Sequence, residues 1–355
     1  MSATKRKTIL ILFGGCSTEY EVSLQSACAV LEHLDPARFQ ALPVGITRDG
    51  RWLRYRGARA ALAEDRWQRE DCIPCTLALD RGARELVWLD GSGKREAFDA
   101  AFPVLHGKNG EDGTLQGLLE LAGVPVIGCG TLASALCMDK GRTHQLAALA
   151  GVAVPKNVRL RRDQATPAAL QAAAETIGWP LFVKPVRAGS SFGITRIQGP
   201  AELAAAAAEA LRHDDELLLE QAVPGFEVGC AVMDGPDGKL ITGAVDEIEL
   251  APGEGLFDYA EKYTLAHAAI HCPARIPEKT ADRIRDAACT VYRALGCRGF
   301  ARVDLFLTPA GEILLNEVNT IPGLTGHSRF PSMVRAAGLD FPGLLDRLIT
   351  LGVQG

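Results

Sequence analysis

Long hydrophobic runs are missing from this chain, and with them the signature of a membrane span. The richest alanine stretch, residues 204–208, lies between Glu202 and Glu209 and falls far short of the roughly 20 apolar residues that cross a bilayer. An excess of positive charge is missing too. Lysine and arginine number 38 against 43 aspartates and glutamates, a net charge of −5 with no long basic stretch, which argues against nucleic acid as a partner. The basic start, residues 1–7, leads into an apolar run at 9–13 that Gly14 stops, too short for the core of a secretion signal. A cytoplasmic protein with reduced thiols is therefore expected. Its ten cysteines are scattered; Cys72 and Cys75 form the only Cys-x-x-Cys, and no second pair stands at zinc spacing. The turn at Gly14-Gly15 is not the dinucleotide fingerprint Gly-x-Gly-x-x-Gly, and the P-loop pattern Gly-x-x-x-x-Gly-Lys-Ser/Thr is absent. A nicotinamide oxidoreductase and a P-loop nucleotidase are both disfavoured.

What is present is an ordinary globular composition, 47% apolar and 23% charged, over 355 residues. At roughly 150 residues per domain, that length suggests two or three domains. Residues 9–13 read as a strand apolar on both faces, followed by a glycine turn and a helix with Val22, Ala27, Val30, Leu31 and Leu34 at helical spacing. A strand at 100–105 leads through a second glycine-rich loop into a helix over 114–122, closed by Gly123. This alternation predicts an α/β class with an open parallel sheet and ligands at the carboxyl ends of its strands, assigned to residues 1–138. A smaller α+β unit follows over 139–230. It has a helix capped by Thr166 with Pro167 in its first turn, and strands at 181–186 and 216–221. Strands and one long amphipathic helix fill a third unit, 231–355.

The chemistry concentrates near the carboxyl end. Residues 300–307 and 312–319 read as strands joined by Thr-Pro-Ala-Gly, an antiparallel hairpin. If Leu307 pairs with Glu312, Arg302 lies opposite Glu317, and alternation puts Arg302, Asp304, Glu317 and Asn319 on one face. Three oxygen-bearing side chains beside a guanidinium suit Mg²⁺ bound to nucleotide phosphates; a solvated sheet face with a salt bridge is the plain alternative. Lys184 ends a buried strand just before Arg-Ala-Gly-Ser-Ser-Phe-Gly, a loop whose amides can close on phosphate. Glu220-Gln221 and Glu227 suit hydrogen bonds to an adenine amine or ribose hydroxyl. The loop at 106–113 offers a histidine, two carboxylates and three glycines at a strand end.

Six motifs then become recognisable together. Residues 13–23 (FGGCSTEYEVS), 106–117 (HGKNGEDGTLQG), 138–140 (MDK), 184–193 (KPVRAGSSFG), 261–263 (EKY) and 316–325 (NEVNTIPGLT) resemble the D-alanine:D-alanine ligase family, of ATP-grasp fold, over nearly the whole chain. The resemblance implies ATP-dependent joining of D-alanine to a second D-amino acid through an acylphosphate, in a homodimer. By it, Lys140, Lys184 and Ser191 hold ATP phosphates, and Glu220, Gln221 and Glu227 hold the adenosine. Asp304, Glu317 and Asn319 hold two Mg²⁺ ions, with Mn²⁺ as a substitute. Glu19 pairs with the first substrate's ammonium and His106 sits near its carboxylate; Arg302 and the Gly323 backbone hold the developing oxyanion. Residues 246–263 form a closing lid that brings Lys262 and Tyr263 over the site, with Ser190 bonded into the closure. Ser328 and Arg329 complete the substrate site. Arg329 and the segments at 257–265 and 273–277 are similar to the D-alanine:D-serine ligases of vancomycin-resistance systems, and Tyr263 disfavours the D-lactate type. D-serine is thus expected ahead of D-alanine at the second position, with a growth-supporting D-alanine:D-alanine ligase as the alternative.

Overall fold

A strand that is apolar on both faces must be covered on both, and Lys7–Gly14 is: Ile9 through Phe13 have no exposed surface. In the computed structural model, which describes residues 6–189, 192–250 and 268–354, this strand pairs in parallel with Phe39–Ile46 on one side and Ala100–Pro103 on the other. Gly14 and Gly15 then turn the chain at φ +87° and +101°, and a Cβ at Gly14 would stand 2.2 Å from the Ile46 carbonyl oxygen. That turn delivers Glu19 to the start of the helix Tyr20–His33.

The parallel arrangement does not extend across the sheet as expected. Beyond Phe39–Ile46 the order runs through Trp52–Tyr55, Cys72–Leu77, Glu85–Trp88 and Arg95–Ala97, each antiparallel to its neighbour. A parallel pair needs a crossover of a dozen or more residues, and the Gly50 turn between Ile46 and Trp52 is too short for one. Cys72 and Cys75 lie within that meander, and all ten cysteines are free thiols.

A four-stranded antiparallel sheet follows in the order Thr195–Ile197, Leu181–Pro185, Glu216–Gln221, Asn157–Arg161. The helices Pro167–Ile177 and Leu203–His213 cover one face of it, and the Thr166 hydroxyl accepts from the Ala169 amide as the cap the sequence predicts. The third sheet runs Ala268–His271, Asp246–Leu250, Phe226–Asp234, Phe300–Leu307, Ile313–Asn319, backed by the amphipathic helix Glu278–Ala294. Asp246–Leu250, expected as the start of a lid, is a paired strand with Asp246 fully buried. The rest of that segment, with Lys262 and Tyr263, lies outside the described residues, as do Ser190 and Ser191. Among the described residues no helix is long and apolar enough to cross a membrane.

The final helix, Phe341–Gln354, returns to the first sheet, where Leu344, Leu345, Leu348 and Ile349 join Ile9, Ile11 and Phe102 in one core. Phe300, from the third sheet, enters the same core and meets Phe102 at 6.2 Å and Phe330 at 5.5 Å between ring centroids. This ring therefore holds the first and third sheets together. Phe300→Ala should cost about 3 to 5 kcal/mol in urea unfolding. A cost below about 1 kcal/mol would show that the joint does not depend on it.

Candidate active site

The hairpin forms as the turn residues dictate, but its register differs from the simple count. Leu307 pairs with Ile313, Arg302 with Asn319 and Asp304 with Glu317, with a register shift between Asp304 and Leu305. The Thr308 amide bonds the Glu312 carbonyl oxygen and the Glu312 amide returns to the Thr308 hydroxyl, so the turn takes one residue more than the expected pairing allows. A bulge at Asn316 then absorbs another. Because the two offsets together amount to two residues, the face is preserved: Arg302 Nε and Nη2 donate to Asp304, and Asn319 Nδ2 donates to Asp304 Oδ2 at 2.9 Å.

Asp304, only 1% exposed, is the centre of a larger ion network. Arg329 at the start of the helix Arg329–Ala336 stands 3.3 Å from Asp304, grips both oxygens of Asp246 at 2.7 and 2.8 Å, and donates to Glu227 at 2.8 Å. Burial alone would lower the pKa of both arginines. Asp304 offsets this at Arg302, and Asp246 with Asp304 at Arg329, so both end above their ordinary values and stay charged. Glu227, expected beside adenosine, is thus held by Arg329 and also accepts from Asn316 at 3.4 Å.

The lysines come from the other wall. Lys140 begins the helix Lys140–Leu149, capped by Asp139, and its Nζ donates to the Ala188 carbonyl oxygen at 2.7 Å while standing 3.6 Å from Glu317. Lys184 and Glu220, neighbours on adjacent strands, bond at 2.6 Å with both side chains almost fully buried. Glu220 Oε2 has no hydrogen-bond partner there. Gln221 reaches the Lys156 amide at 3.4 Å. His144 escaped the sequence reading. Buried and with its pKa lowered by burial, it donates from Nε2 to the carbonyl oxygen of the bulged Asn316 at 2.9 Å.

On the far side, Glu19 is nearly buried beneath two backbone segments, and a Cβ at either Gly107 or Gly189 would stand 2.6 Å from its Oε2. A side chain at either position would have to displace the carboxylate, and Gly107 also takes a φ of +69° that favours glycine. His106 spends both ring nitrogens inside the protein. Its Nδ1 lies 2.8 Å from the Ile321 carbonyl oxygen and its Nε2 3.3 Å from Ser26 Oγ, a pattern that fits the Nδ1–H tautomer. Burial lowers its pKa, so the ring is neutral. Glu111 was not singled out in the sequence, yet its oxygens accept from the Gly107 and Ile321 amides, both at 2.9 Å. Ser328 Oγ accepts from the Thr325 amide at 3.1 Å in a tight turn beside Gly323.

These groups open on one cavity of about 370 Å³. Glu19, His106, Lys140, Arg302, Glu317 and Asn319 line it, and so do Gly323, Ser328 and Arg329. Asp304 lies just below its floor; Lys184, Glu220, Gln221 and Glu227 are outside its lining. The oxygens fit a hard divalent ion. Asn319 turns its amide N–H to Asp304, which leaves its carbonyl oxygen available beside the Asp304 and Glu317 carboxylates. Among the described residues no three His, Cys, Asp or Glu side chains are arranged to hold an ion alone, which suits Mg²⁺ that completes its shell with phosphate oxygens and water.

Burial and the charge of Glu19 push the Glu111 carboxyl from 4.5 up to about 8. Folding therefore favours its neutral form, and that contribution is whole below pH ~4.5 and is lost as pH rises through ~8. Between about pH 5 and pH 8.5, Glu111→Gln should lose less stability than the wild type in urea titrations. Equal losses would show that this carboxyl does not titrate late.

Comparison with known proteins agrees with this geometry. The family description "D-ala D-ala ligase N-terminus" matches residues 8–129 and "D-ala D-ala ligase C-terminus" matches 146–350. The vancomycin B-type resistance protein VanB of Enterococcus faecalis is 43% identical over 98% of each chain. A putative D-alanine–D-lactate ligase of Streptomyces coelicolor is 42% identical over 99% of each chain. The crystal structure of the VanG D-Ala:D-Ser ligase from Enterococcus faecalis superimposes with a TM-score of 0.90 at 50% identity, over 98% of this chain and 100% of that one. With both family descriptions matched and full-length relatives above 40% identity, the chain belongs to the D-alanine–D-alanine ligase family of ATP-dependent carboxylate–amine ligases.

Proposed function

We propose that the protein joins D-alanine to a second D-amino acid, D-serine ahead of D-alanine, through D-alanyl phosphate, for the peptidoglycan precursors of a glycopeptide-resistant wall. One observation carries the reading: Glu19, the Arg302–Asp304–Glu317–Asn319 face and Gly323 meet at a single cavity with Lys140 on its wall. Glu19 is the anion that receives the first substrate's ammonium, beneath Gly107 and Gly189. That substrate's carboxylate attacks the γ-phosphorus of ATP and displaces ADP. The amine of the second substrate then adds to the acyl carbon, and the tetrahedral adduct expels phosphate. Arg302 and the Gly323 N–H receive the negative charge that builds on the acyl oxygen. Lys140 and Lys184 neutralise phosphate, Lys184 by exchanging its bond to Glu220 for one to ATP, which frees Glu220 to meet the adenosine with Gln221. Asp304, Glu317 and Asn319 would hold Mg²⁺, with Mn²⁺ as a substitute, and the ion supplies charge neutralisation at the phosphates. Ser191 would join the two lysines at phosphate, and Ser190, Lys262 and Tyr263 would take part in a closure that excludes water from the acylphosphate.

The D-serine preference draws on the likeness to the VanG D-Ala:D-Ser ligase at 50% identity, against 43% for VanB and 42% for the putative D-lactate ligase. Arg329 contributes through the carboxylates it orders, because Asp246 and Glu227 take up its Nε, Nη1 and Nη2. Work in the cytoplasm and assembly as a homodimer complete the proposal. A site that satisfies the serine hydroxyl should prefer D-serine by roughly tenfold to a hundredfold, the scale of one hydrogen bond. Phosphate release should require Mg²⁺, ATP and D-alanine, and at equal D-serine and D-alanine the mixed dipeptide should predominate. Predominant D-alanyl-D-alanine would make the protein a growth-type ligase, and equal turnover with L-alanine would overturn the reading.

A further inference from the structure

Residues 321–324 connect the metal-binding strand to the Thr325–Ser328 turn, and their backbone is tied to a different part of the chain. The Ile321 amide donates to Glu111 Oε1 at 2.9 Å, and the Ile321 carbonyl oxygen lies 2.8 Å from His106 Nδ1. The Leu324 amide donates to Ser26 Oγ at 3.2 Å, and Ser26 in turn lies 3.3 Å from His106 Nε2. With Nδ1 protonated, the Ser26 hydroxyl donates to Nε2 and keeps a lone pair for Leu324, so each donor in the chain meets an acceptor. Glu111 is itself fixed by the Gly107 amide at 2.9 Å, and the backbone of His106 by Ser17 Oγ at 2.7 Å. Pro322 has no amide proton, and Ile321 and Leu324 have spent theirs. Among the described residues the Gly323 N–H is thus the segment's one uncommitted donor, and Gly323 lines the cavity.

We infer that Glu111, Ser26 and His106 form a clasp from the first sheet's loops and helix onto residues 321–324, and that Glu111 and Ser26 are positioning residues for the Gly323 N–H. The contacts span 210, 215 and 298 residues of sequence, so the segment takes this shape only when the two parts of the chain are docked. His106 then acts as the clasp's hinge. Both flanks of Gly323 are held, and the donor between them is left with little freedom. Removing one holder loosens the backbone on its own side and lets the N–H wander from the acyl oxygen, without touching the nucleotide.

The inference rests on the oxyanion role given to Gly323 above, and the experiment separates the two. In the full chain, amide hydrogen exchange is measured for Ile321 and Leu324 in Glu111→Ala, Glu111→Gln and Ser26→Ala, beside kcat and the KM for ATP. Glu111→Ala should raise exchange at Ile321 and Ser26→Ala at Leu324, each by about tenfold or more, with kcat down by at least tenfold and the KM for ATP within about twofold. Glu111→Gln retains an acceptor oxygen for Ile321 and should restore part of kcat. Unchanged exchange overturns the clasp, and faster exchange with wild-type kcat overturns its positioning role. A wild type without ligase turnover overturns the functional reading, and exchange alone then decides whether the clasp exists.

Discussion

Asp304 is a carboxylate that the fold has removed from water, and the site is built around satisfying it. A buried charge is tolerated only when it is paired and hydrogen-bonded, and Asp304 is met by Arg302, Arg329 and Asn319. Arg329 brings Asp246 and Glu227 into the same network. Glu317, opposite Asp304 in the hairpin, stands 3.6 Å from Lys140, so carboxylates and cations alternate along this wall of the cavity.

That concentration of charge is affordable because rigid elements hold it on every side. Arg302 and Asp304 project from a central strand that pairs with Phe226–Asp234 and with Ile313–Asn319. His144 fixes the bulge at Asn316 from the helix that begins with Lys140, so one helix steadies both a lysine of the cavity and the backbone beside Glu317. The first sheet contributes through loops at the ends of Lys7–Gly14 and Ala100–Pro103, and the Phe300 core keeps it in register with the third. Ligands at the carboxyl ends of strands are general in α/β sheets; here the same loops also hold the backbone of residues 321–324.

Much of this was legible in the sequence because local chemistry wrote it. The Thr308–Gly311 turn, the Thr166 cap and the doubly apolar first strand each depend on neighbouring residues and appear as expected. The hairpin register was not legible, since the bulge at Asn316 answers to His144 and Glu227, far away in sequence. Arg329 could be noticed but its partners could not, for they lie 83 and 102 residues distant. Within the loop at 106–113, Asp112 caps the Asn109 and Thr114 amides while Glu111 turns inward. Two adjacent carboxylates carry no sign of which one the tertiary structure will use. The antiparallel meander was missed for a similar reason, because its strands between Trp52 and Ala97 are short and half exposed.

On the proposed function, the Asp304 network receives a metal with its nucleotide. Titration calorimetry of ATP into Asp304→Asn, with and without Mg²⁺, tests it without relying on turnover. Binding should weaken by at least about tenfold with Mg²⁺ present and change by less than about twofold without it. Equal binding of Mg²⁺-ATP by variant and wild type would contradict it, and would make the buried carboxylate a purely structural partner of two arginines.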